Sequence, residues 1–210
     1  MSPEATELYS WIIENTLNPA GKVSYTKEDS SQTYAEATDA VEADYFKYSA
    51  GPFTSWSSYS GTALDSDLSH EYLLKDEFIR TNIQNIENQI FYEGINQEDA
   101  IAAINNWFKT NYSYKYGIYD MYTALENNGG VCMTYAMIAQ ALCNDVGIDC
   151  YYITGEADNG VEKGGHAWNK VNVNGKWYYI DFTWNSSQKY YLSESLWEDH
   201  WETGCQKLFV

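Results

Sequence analysis

The dipeptide Asn174-Gly175 constrains the fold of this chain more than any other feature of its sequence. Asn-Gly between two strand-like segments indicates a two-residue type I′ turn, because both turn positions need a positive φ. Such a turn also sets the register, so that Val173 pairs with Lys176. The sequence therefore predicts an antiparallel hairpin whose strands run over residues 166–173 and 176–184.

This register places four polar and aromatic side chains on one face of the hairpin. His166 lies opposite Thr183 and Trp168 lies opposite Asp181, and cross-strand partners share a face. His166 and Asp181 are then diagonal neighbours, roughly 5–8 Å apart. An imidazole and a carboxylate on one face indicate a base and the group that orients it. The opposite face carries the apolar side chains of Ala167, Val171, Val173, Tyr178, Ile180 and Phe182.

A second strong signal is the run Asn127-Asn128-Gly129-Gly130, which breaks any preceding helix. Apolar residues at helical spacing follow over residues 131–146, and Gly147 ends the pattern. Cys132 falls in the first turn of this helix, where the helix dipole and free N–H groups favour a thiolate. A lone cysteine at such a position is more often an unreactive buried residue. Together with the His166–Asp181 pair, it predicts a nucleophile, its base and the orienting carboxylate.

The rest of the chain predicts a mixed α+β fold without internal repeats. Further helices are predicted by apolar periodicity or capping over 8–17, 34–48, 78–90, 96–108 and 194–203. Further strands are predicted over 150–153 and 189–192, an extended or loop segment over 112–116, and loops over 30–33 and 54–61. We expect residues 1–75 to form a helical and loop-rich N-terminal cover, packed on a catalytic core of residues 76–210. In that cover, Phe53, Trp56 and Tyr59 are either packing residues or the wall of a substrate cleft.

The charge of the chain narrows the classes of partner. Thirty acidic against twelve basic residues give a formal net charge of −18 at pH 7. Such a field repels nucleic acid and anionic lipid. No apolar stretch has the length of a transmembrane helix. We therefore expect neither nucleic-acid binding nor membrane insertion, while the sequence leaves the oligomeric state open.

The number and spacing of the cysteines and the N-terminal sequence bear on the cellular compartment of the protein. Four cysteines are too few for a disulfide framework in 210 residues, and no two form a C-x-x-C pair that would indicate zinc. A free Cys132 leaves at most one disulfide among Cys143, Cys150 and Cys205. No signal peptide is visible at the N-terminus. This is compatible with a cytoplasmic protein and with a secreted or cell-surface bacterial fragment whose leader has been removed.

Two histidines and one acidic segment lie outside the predicted site. His70 is in a polar stretch and is expected at the solvated surface. His200 is expected to be a core histidine or one that supports the site. Glu156, Asp158 and Glu162 lack the spacing of a calcium loop, and we expect them to form a mobile loop at the mouth of the cleft.

Three blocks of this sequence resemble the transglutaminase-like superfamily, and in particular bacterial transglutaminase-like cysteine proteases. The resemblance spans about residues 96–184 and keeps the order Cys, His, Asp. It implies a papain-like core, in which a Cys-bearing helix packs on an antiparallel sheet that bears the His and the Asp. The three blocks are Gly130-Val-Cys132-Met-Thr-Tyr135-Ala, Gly165-His166-Ala-Trp168-Asn169, and Gly175-Lys-Trp177-Tyr178 with Asp181-Phe-Thr183-Trp184.

By this resemblance Cys132 is the nucleophile, His166 the base and Asp181 the orienting carboxylate. The implied activity is acyl transfer on a peptide bond or a glutamine amide, through a thioester on Cys132. Water resolving the thioester makes a cysteine protease, and an amine makes a transglutaminase. The implied partner is a protein or peptide substrate, and no metal or organic cofactor is implied. Two alternatives are a non-catalytic protein- or wall-binding module that retains the fold and an accessory domain of a larger surface protein.

The resemblance also suggests where an oxyanion would bind. The backbone N–H of Cys132 offers one donor, and relatives take a second from an upstream aromatic or amide side chain. Tyr114 is our first choice for that donor, and Trp107 and Tyr112 are less favoured candidates.

Two further residues next to the triad have expected roles. Trp168 is expected either to shield the His–Asp pair from water or to fill the core. Many relatives have Gly two residues after the Cys, where this chain has Thr134. We expect the side chain of Thr134 to narrow the cleft.

Overall fold

The computed structural model describes residues 1–27 and 30–209. The chain divides into two compact units, Met1–Arg80 and Thr81–Phe209. The division falls inside one continuous helix, α3 (Ser66–Ile90), and the predicted boundary after residue 75 falls inside the same helix. Among the described residues, no helix is both long and apolar enough to cross a membrane.

The first unit combines helices with a small antiparallel sheet. Its elements before α3 are α1 (Pro3–Leu17), β1 (Lys22–Tyr25), α2 (Ser31–Tyr45), β2 (Thr54–Ser57) and β3 (Gly61–Asp65). The strand order is β1-β3-β2. Serine hydroxyls cap both helices, because Ser2 accepts from the N–H of Ala5 and Ser30 accepts from the N–H of Thr33. Leu8, Ile12 and Val41 are among the buried residues of its core.

Three predictions for the first unit are wrong. The segment 30–33 was expected to be a loop, yet α2 begins at Ser31. The segment 54–61 was expected to be a loop, yet β2 lies in it and pairs with β3 from Thr54↔Leu64 to Ser57↔Gly61. Its polar residues show no clear alternation, and cross-strand pairing decides their structure. His70 was expected at the surface, yet it is half-buried, and its Nδ1 lies 2.9 Å from the carbonyl oxygen of Thr16.

The three aromatic residues singled out in this unit have different surroundings. The Phe53 ring lies 4.8 Å from that of Tyr72, and the Trp56 ring lies 6.4 Å from that of Tyr34. Tyr59 is fully exposed. The first two therefore pack against rings of their own unit.

The second unit is a helical layer on a four-stranded antiparallel sheet. Its helices after α3 are α4 (Gln97–Asn111), α5 (Met121–Asn127) and α6 (Cys132–Asp145). Its strands are β4 (Ser113–Tyr114), β5 (Gly129–Gly130), β6 (Cys150–Asp158), β7 (Lys163–Val173), β8 (Lys176–Ile180) and β9 (His200–Gln206). The large sheet has the order β8-β7-β6-β9, and α6 packs on β6 and β7. The predicted α+β fold, with the Cys-bearing helix on an antiparallel sheet, is confirmed.

The predicted hairpin register is also confirmed. Strands β7 and β8 pair from Val173↔Lys176 to Asn169↔Ile180. Asn174 and Gly175 have φ values of 53° and 84°, as a type I′ turn requires. The ladder ends at Asn169↔Ile180, so the predicted extension of the second strand to residue 184, with the pairs Trp168–Asp181 and His166–Thr183, is wrong.

The prediction for the C-terminal region is wrong. Residues 189–192 were expected to form a strand, yet a short 3-10 helix covers Gln188–Tyr190. Residues 194–203 were expected to form a helix, yet the chain turns there and enters β9, which pairs with β6 from Ala157↔His200 to Tyr152↔Gln206. Tertiary pairing with an edge of the sheet overrides the local pattern.

Candidate active site

Cys132 is the first residue of α6, at the point where the helix meets the sheet. Val131, the residue before it, provides no side-chain cap, so N–H groups of the first turn lack an intrahelical acceptor. The Cys132 side chain packs with Ala136, Tyr152 and Ala167. It is half-buried, and all four cysteines are free thiols. The sulfur is therefore placed at the positive end of a helix, on an accessible rim of the core.

The two glycines before Cys132 allow β4 to run close beside it. Gly129 and Gly130 pair in parallel with Ser113 and Tyr114. A Cβ on Gly129 would lie 2.5 Å from the carbonyl oxygen of Ser113. Only glycine fits such an approach, and the pairing brings Tyr114 next to Cys132.

His166 and Asp181 form a buried pair. The Nε2 of His166 lies 2.8 Å from the Oδ2 of Asp181, and their side chains are 8% and 0% exposed. The other oxygen of Asp181 accepts from the N–H of Thr183 at 2.8 Å and from the N–H of Trp184 at 3.3 Å. Burial alone would raise the pKa of Asp181, but the hydrogen bonds from His166 and from the N–H of Thr183, with His200 3.6 Å away, hold that pKa below its ordinary value.

Cys132 and Asp181 both act on the pKa of His166. Burial lowers that pKa, and the hydrogen bond with Asp181, together with the nearby Cys132, outweighs the effect. The result is a pKa of about 9. The imidazolium form of His166 is therefore populated at neutral pH.

A cavity of about 560 Å³ opens beside His166. Tyr114, Tyr116, Glu162, Gly164, Gly165, Thr183 and Trp184 are among its lining residues. Asp158, which was expected with Glu162 at the mouth of the cleft, lines a neighbouring cavity of about 720 Å³. The two cavities share Asn159, Thr183 and Trp184 as lining residues.

Comparison with protein-family models gives one match, to the transglutaminase-like superfamily over residues 84–182. The matched segment contains Cys132, His166 and Asp181, which the structure brings together. This segment is similar to the transglutaminase-like superfamily. A comparison with curated protein sequences finds no match.

Two solved structures are similar to this chain. A candidate cysteine protease from Cytophaga hutchinsonii has a TM-score of 0.42 and 19% identity, over 63% of this chain and 50% of that one. A protein described as a TGase has a TM-score of 0.41 and 16% identity, over 77% of this chain and 50% of that one. The chain thus spans about half the length of each.

The three residues considered as oxyanion donors lie in different places. Tyr114 is 56% exposed and lines the cavity beside His166. Trp107 is buried in the core, and Tyr112 is also buried, with its hydroxyl 2.9 Å from the Oγ1 of Thr134. Of the three, only Tyr114 has access to the cavity beside His166.

Trp168 lies behind the His–Asp pair and is fully buried. Its ring stacks on that of His166, with centroids 6.0 Å apart. It is not among the cavity-lining residues, and it is placed to exclude water from one side of the pair.

The expectation that Thr134 narrows the cleft is wrong. Its side chain is fully buried and donates a hydrogen bond to the carbonyl oxygen of Val131 at 2.8 Å. A Cβ on Gly130 would lie 2.4 Å from the Oγ1 of Thr134. Thr134 therefore stabilises the start of α6 from the core side, and its side chain does not enter the cleft.

Sequence reasoning missed two residues around the His166–Asp181 pair and its neighbour His200. The Trp184 ring stacks on that of His166 at 4.8 Å, and Asp199 lies 2.8 Å from His200. Trp184 follows Asp181 in the third block of the resemblance, which was a usable signal. Asp199 had none, because its segment was read as a helix.

Three donor atoms of this site are close enough to be considered for a metal ion. Atoms of His166, Asp181 and His200 lie within 4.8 Å of one another, and two imidazoles with a carboxylate suit zinc. The 2.8 Å contact between His166 and Asp181 already occupies two of these atoms in a hydrogen bond. The arrangement fits a hydrogen-bonded chain better than an open coordination site.

Proposed function

We propose that this chain catalyses thiol-dependent acyl transfer on peptide or glutamine amide bonds, through a thioester on Cys132. The single observation that supports it most is the position of His166, which is hydrogen-bonded to Asp181 and lies near Cys132 beside an open cavity. This is the geometry of a nucleophile, its base and the group that orients the base.

The first half of the proposed reaction forms the thioester. The Cys132 thiolate attacks the amide carbonyl, and the new S–C bond converts it to a tetrahedral oxyanion. The backbone N–H of Cys132 is proposed as one donor to that oxyanion and the hydroxyl of Tyr114 as the other. The imidazolium of His166 gives its proton to the leaving amine as the C–N bond breaks.

The second half resolves the thioester. His166, now neutral, takes a proton from water or from an amine, which attacks the acyl carbon and frees the Cys132 thiolate. Asp181 holds the imidazole orientation through both halves. Water gives hydrolysis, as in a cysteine protease, and an amine gives transamidation, as in a transglutaminase. Both products remain open in this proposal.

Strand β7 supports a peptide as the substrate. Residues 169–173 pair with β8, whereas residues 163–168 pair only with β6. Gly164 and Gly165 lie on this second stretch, are exposed, and line the cavity. A strand edge without side chains can accept an extended peptide by backbone hydrogen bonds. The edge leads directly to His166.

The test is turnover on a peptide library, measured with and without an added primary amine. Cys132→Ala is expected to abolish turnover and leave the fold intact, because it removes only the nucleophile. Cys205→Ala is the matched control, since Cys205 is exposed and lies on β9; it is expected to keep wild-type turnover. Mass analysis of the products distinguishes hydrolysis from amine incorporation.

A second measurement separates an enzyme from a binding module. Brief alkylation with iodoacetamide, followed by peptide mapping, is expected to label Cys132 faster than the buried Cys143 and Cys150. Turnover that survives in Cys132→Ala would contradict the nucleophile assignment. Sluggish alkylation of Cys132, with no turnover in the library, would favour the non-catalytic module.

A further inference from the structure

A second cavity, of about 720 Å³, opens next to the one beside His166, and we call it the side cavity. The two cavities adjoin, because they share the lining residues Asn159, Thr183 and Trp184. The Trp184 ring, which is one of these shared walls, stacks on the ring of His166 at 4.8 Å. A side chain of a peptide bound beside His166 can therefore extend past Trp184 into the side cavity.

We propose that the side cavity binds a basic side chain of the substrate, so that the chain acts on peptides with a lysine or an arginine close to the reacting amide. This assignment rests on the proposed function for the reaction itself. Binding of a cation in the side cavity can be measured without any reaction.

Acidic side chains outnumber basic ones among the described residues that line the side cavity. Asp158, Glu198 and Asp199 line it, and so does Lys189. The ammonium of Lys189 pairs with Asp199, which leaves Asp158 and Glu198, here called the acidic pair. Within the described part of the chain, no lysine or arginine lies at ion-pair distance from either of them. The acidic pair is thus available to a cation from outside the chain.

The position of the acidic pair follows from the pairing of β6 with β9. Asp158 is the last residue of β6, and its N–H donates to the carbonyl oxygen of Asp199 at 2.9 Å. Its Oδ1 accepts from the N–H of Gly160 at 2.8 Å. Glu198 lies two residues before the start of β9, whose first residue, His200, is opposite Ala157. Residues far apart in the sequence therefore line one cavity.

Aromatic rings form other walls of the side cavity, namely those of Trp184, Tyr190 and Trp201. Two ammonium groups of the chain already lie over rings of this set. The Nζ of Lys163 is 4.1 Å from the centroid of the Trp201 ring. The Nζ of Lys189 is 5.0 Å from the centroid of the Tyr190 ring. Ring faces attract cations, and these two contacts are independent of the acidic pair in pointing to an ammonium or guanidinium ligand.

Charge and wall chemistry together select the class of side chain. An anionic side chain would be repelled by the acidic pair and by the net charge of −18, whose field concentrates cations near the surface. An uncharged apolar side chain would cover the acidic pair without giving it a partner, which costs free energy. Lysine and arginine have an apolar stem that packs on rings and a charged end that pairs with carboxylates.

The first test is an NMR titration of the intact chain with 15N-labelled tryptophan, using n-butylammonium chloride as a mimic of the lysine side chain. We expect saturable shifts of the indole N–H signals of Trp184 and Trp201, and none for Trp107, which is buried in α4. NaCl at the same concentration controls for ionic strength, and n-butanol controls for the apolar part of the probe. Neither is expected to reproduce the shifts.

Charge variants connect that binding to the acidic pair. In the double variant Asp158→Asn with Glu198→Gln, n-butylammonium is expected to bind about fivefold more weakly, because two exposed charge contacts are lost. The matched control is Glu93→Gln with Glu126→Gln. It removes the same charge from exposed positions that line neither cavity, and it is expected to bind the probe as the wild type does.

Turnover gives the second test, with library peptides that carry either lysine or norleucine, which lacks the terminal ammonium. At one or more positions beside the reacting amide, we expect kcat/KM to be about tenfold higher for lysine. In the acidic-pair double variant this ratio is expected to fall to within about twofold of unity. The ratio is unaffected by a lower folded fraction, because both peptides meet the same protein.

Three results would overturn the proposal. One is an absence of shifts at Trp184 and Trp201 with n-butylammonium, or equal shifts with n-butanol. Another is equal kcat/KM for lysine and norleucine at every position, and the third is a lysine preference that the double variant retains in full. If only the incorporation of a free amine depended on the acidic pair, the side cavity would belong to the attacking amine, which also contradicts the proposal.

Failure of the proposed function has a different signature. A chain without turnover on any library peptide would contradict acyl transfer through Cys132. The titration with n-butylammonium would still decide whether the side cavity binds a cation.

Discussion

His166 binds a proton more tightly in the folded chain than in the unfolded chain, so its protonation contributes to stability. Its pKa of about 9 in the folded chain compares with an ordinary value of 6.5. The contribution is complete below about pH 6.5 and is lost as the pH rises through about 9. Since a tenfold change in proton affinity is worth about 1.4 kcal/mol, the contribution is at most about 3 kcal/mol.

We therefore predict the pH dependence of stability for wild type and for His166→Gln, which cannot bind this proton. The difference in unfolding free energy between them is expected to shrink by up to about 3 kcal/mol from pH 6 to pH 10. Urea unfolding at each pH measures it. A difference that is constant over this range, or that grows with pH, would contradict the tight binding of a proton by His166.

At the scale of elements, the start of α6 depends on the absence of one side chain. A Cβ on Gly130 would lie 2.4 Å from the Oγ1 of Thr134 and 3.2 Å from the carbonyl oxygen of Ile118. Neither neighbour is free to move, because Thr134 is fully buried and the Ile118 carbonyl accepts from the N–H of Val131. The position of Cys132 follows from this packing.

Gly130→Ala is accordingly expected to cost about 1–3 kcal/mol of stability, as overpacking does, and to lower turnover by displacing Cys132. Gly164→Ala is the control, since a Cβ there has no atom within 4 Å, and its unfolding free energy should stay close to that of the wild type. Adding Thr134→Ala to Gly130→Ala is expected to recover part of the loss. Urea unfolding measures both variants. Equal losses of unfolding free energy in Gly130→Ala and Gly164→Ala would contradict this explanation.

Local sequence signals decide which helices and strands could be predicted. The β7–β8 hairpin and α6 carry local signals, namely Asn174-Gly175 and the glycine run before Cys132. These signals suffice to bring His166 and Asp181 to one end of the sheet. Strand β9 has no such signal, because its structure comes from pairing with β6, which lies more than 40 residues earlier in the chain. The approach of His200 to Asp181 could not be predicted for that reason.

At the scale of the whole molecule, the net charge of −18 at pH 7 dominates the long-range electrostatics. Like charges repel more strongly in the compact chain than in the expanded unfolded chain, which lowers stability. Salt screens this repulsion, since the Debye length falls from about 30 Å at 0.01 M to about 8 Å at 0.15 M. Buried contacts such as His166–Asp181 are screened much less.

We therefore predict that the Tm rises when NaCl is increased from 10 to 150 mM at pH 7. The net effect should be stabilising, because thirty acidic residues face only twelve basic ones and exposed ion pairs contribute little. The control is the same salt series near the sequence pI of about 4.3, where net repulsion vanishes and the rise should disappear or reverse. A Tm that is insensitive to salt at pH 7 would mean that neighbouring ion pairs already balance the acidic surface. Scanning calorimetry at both pH values distinguishes the two cases.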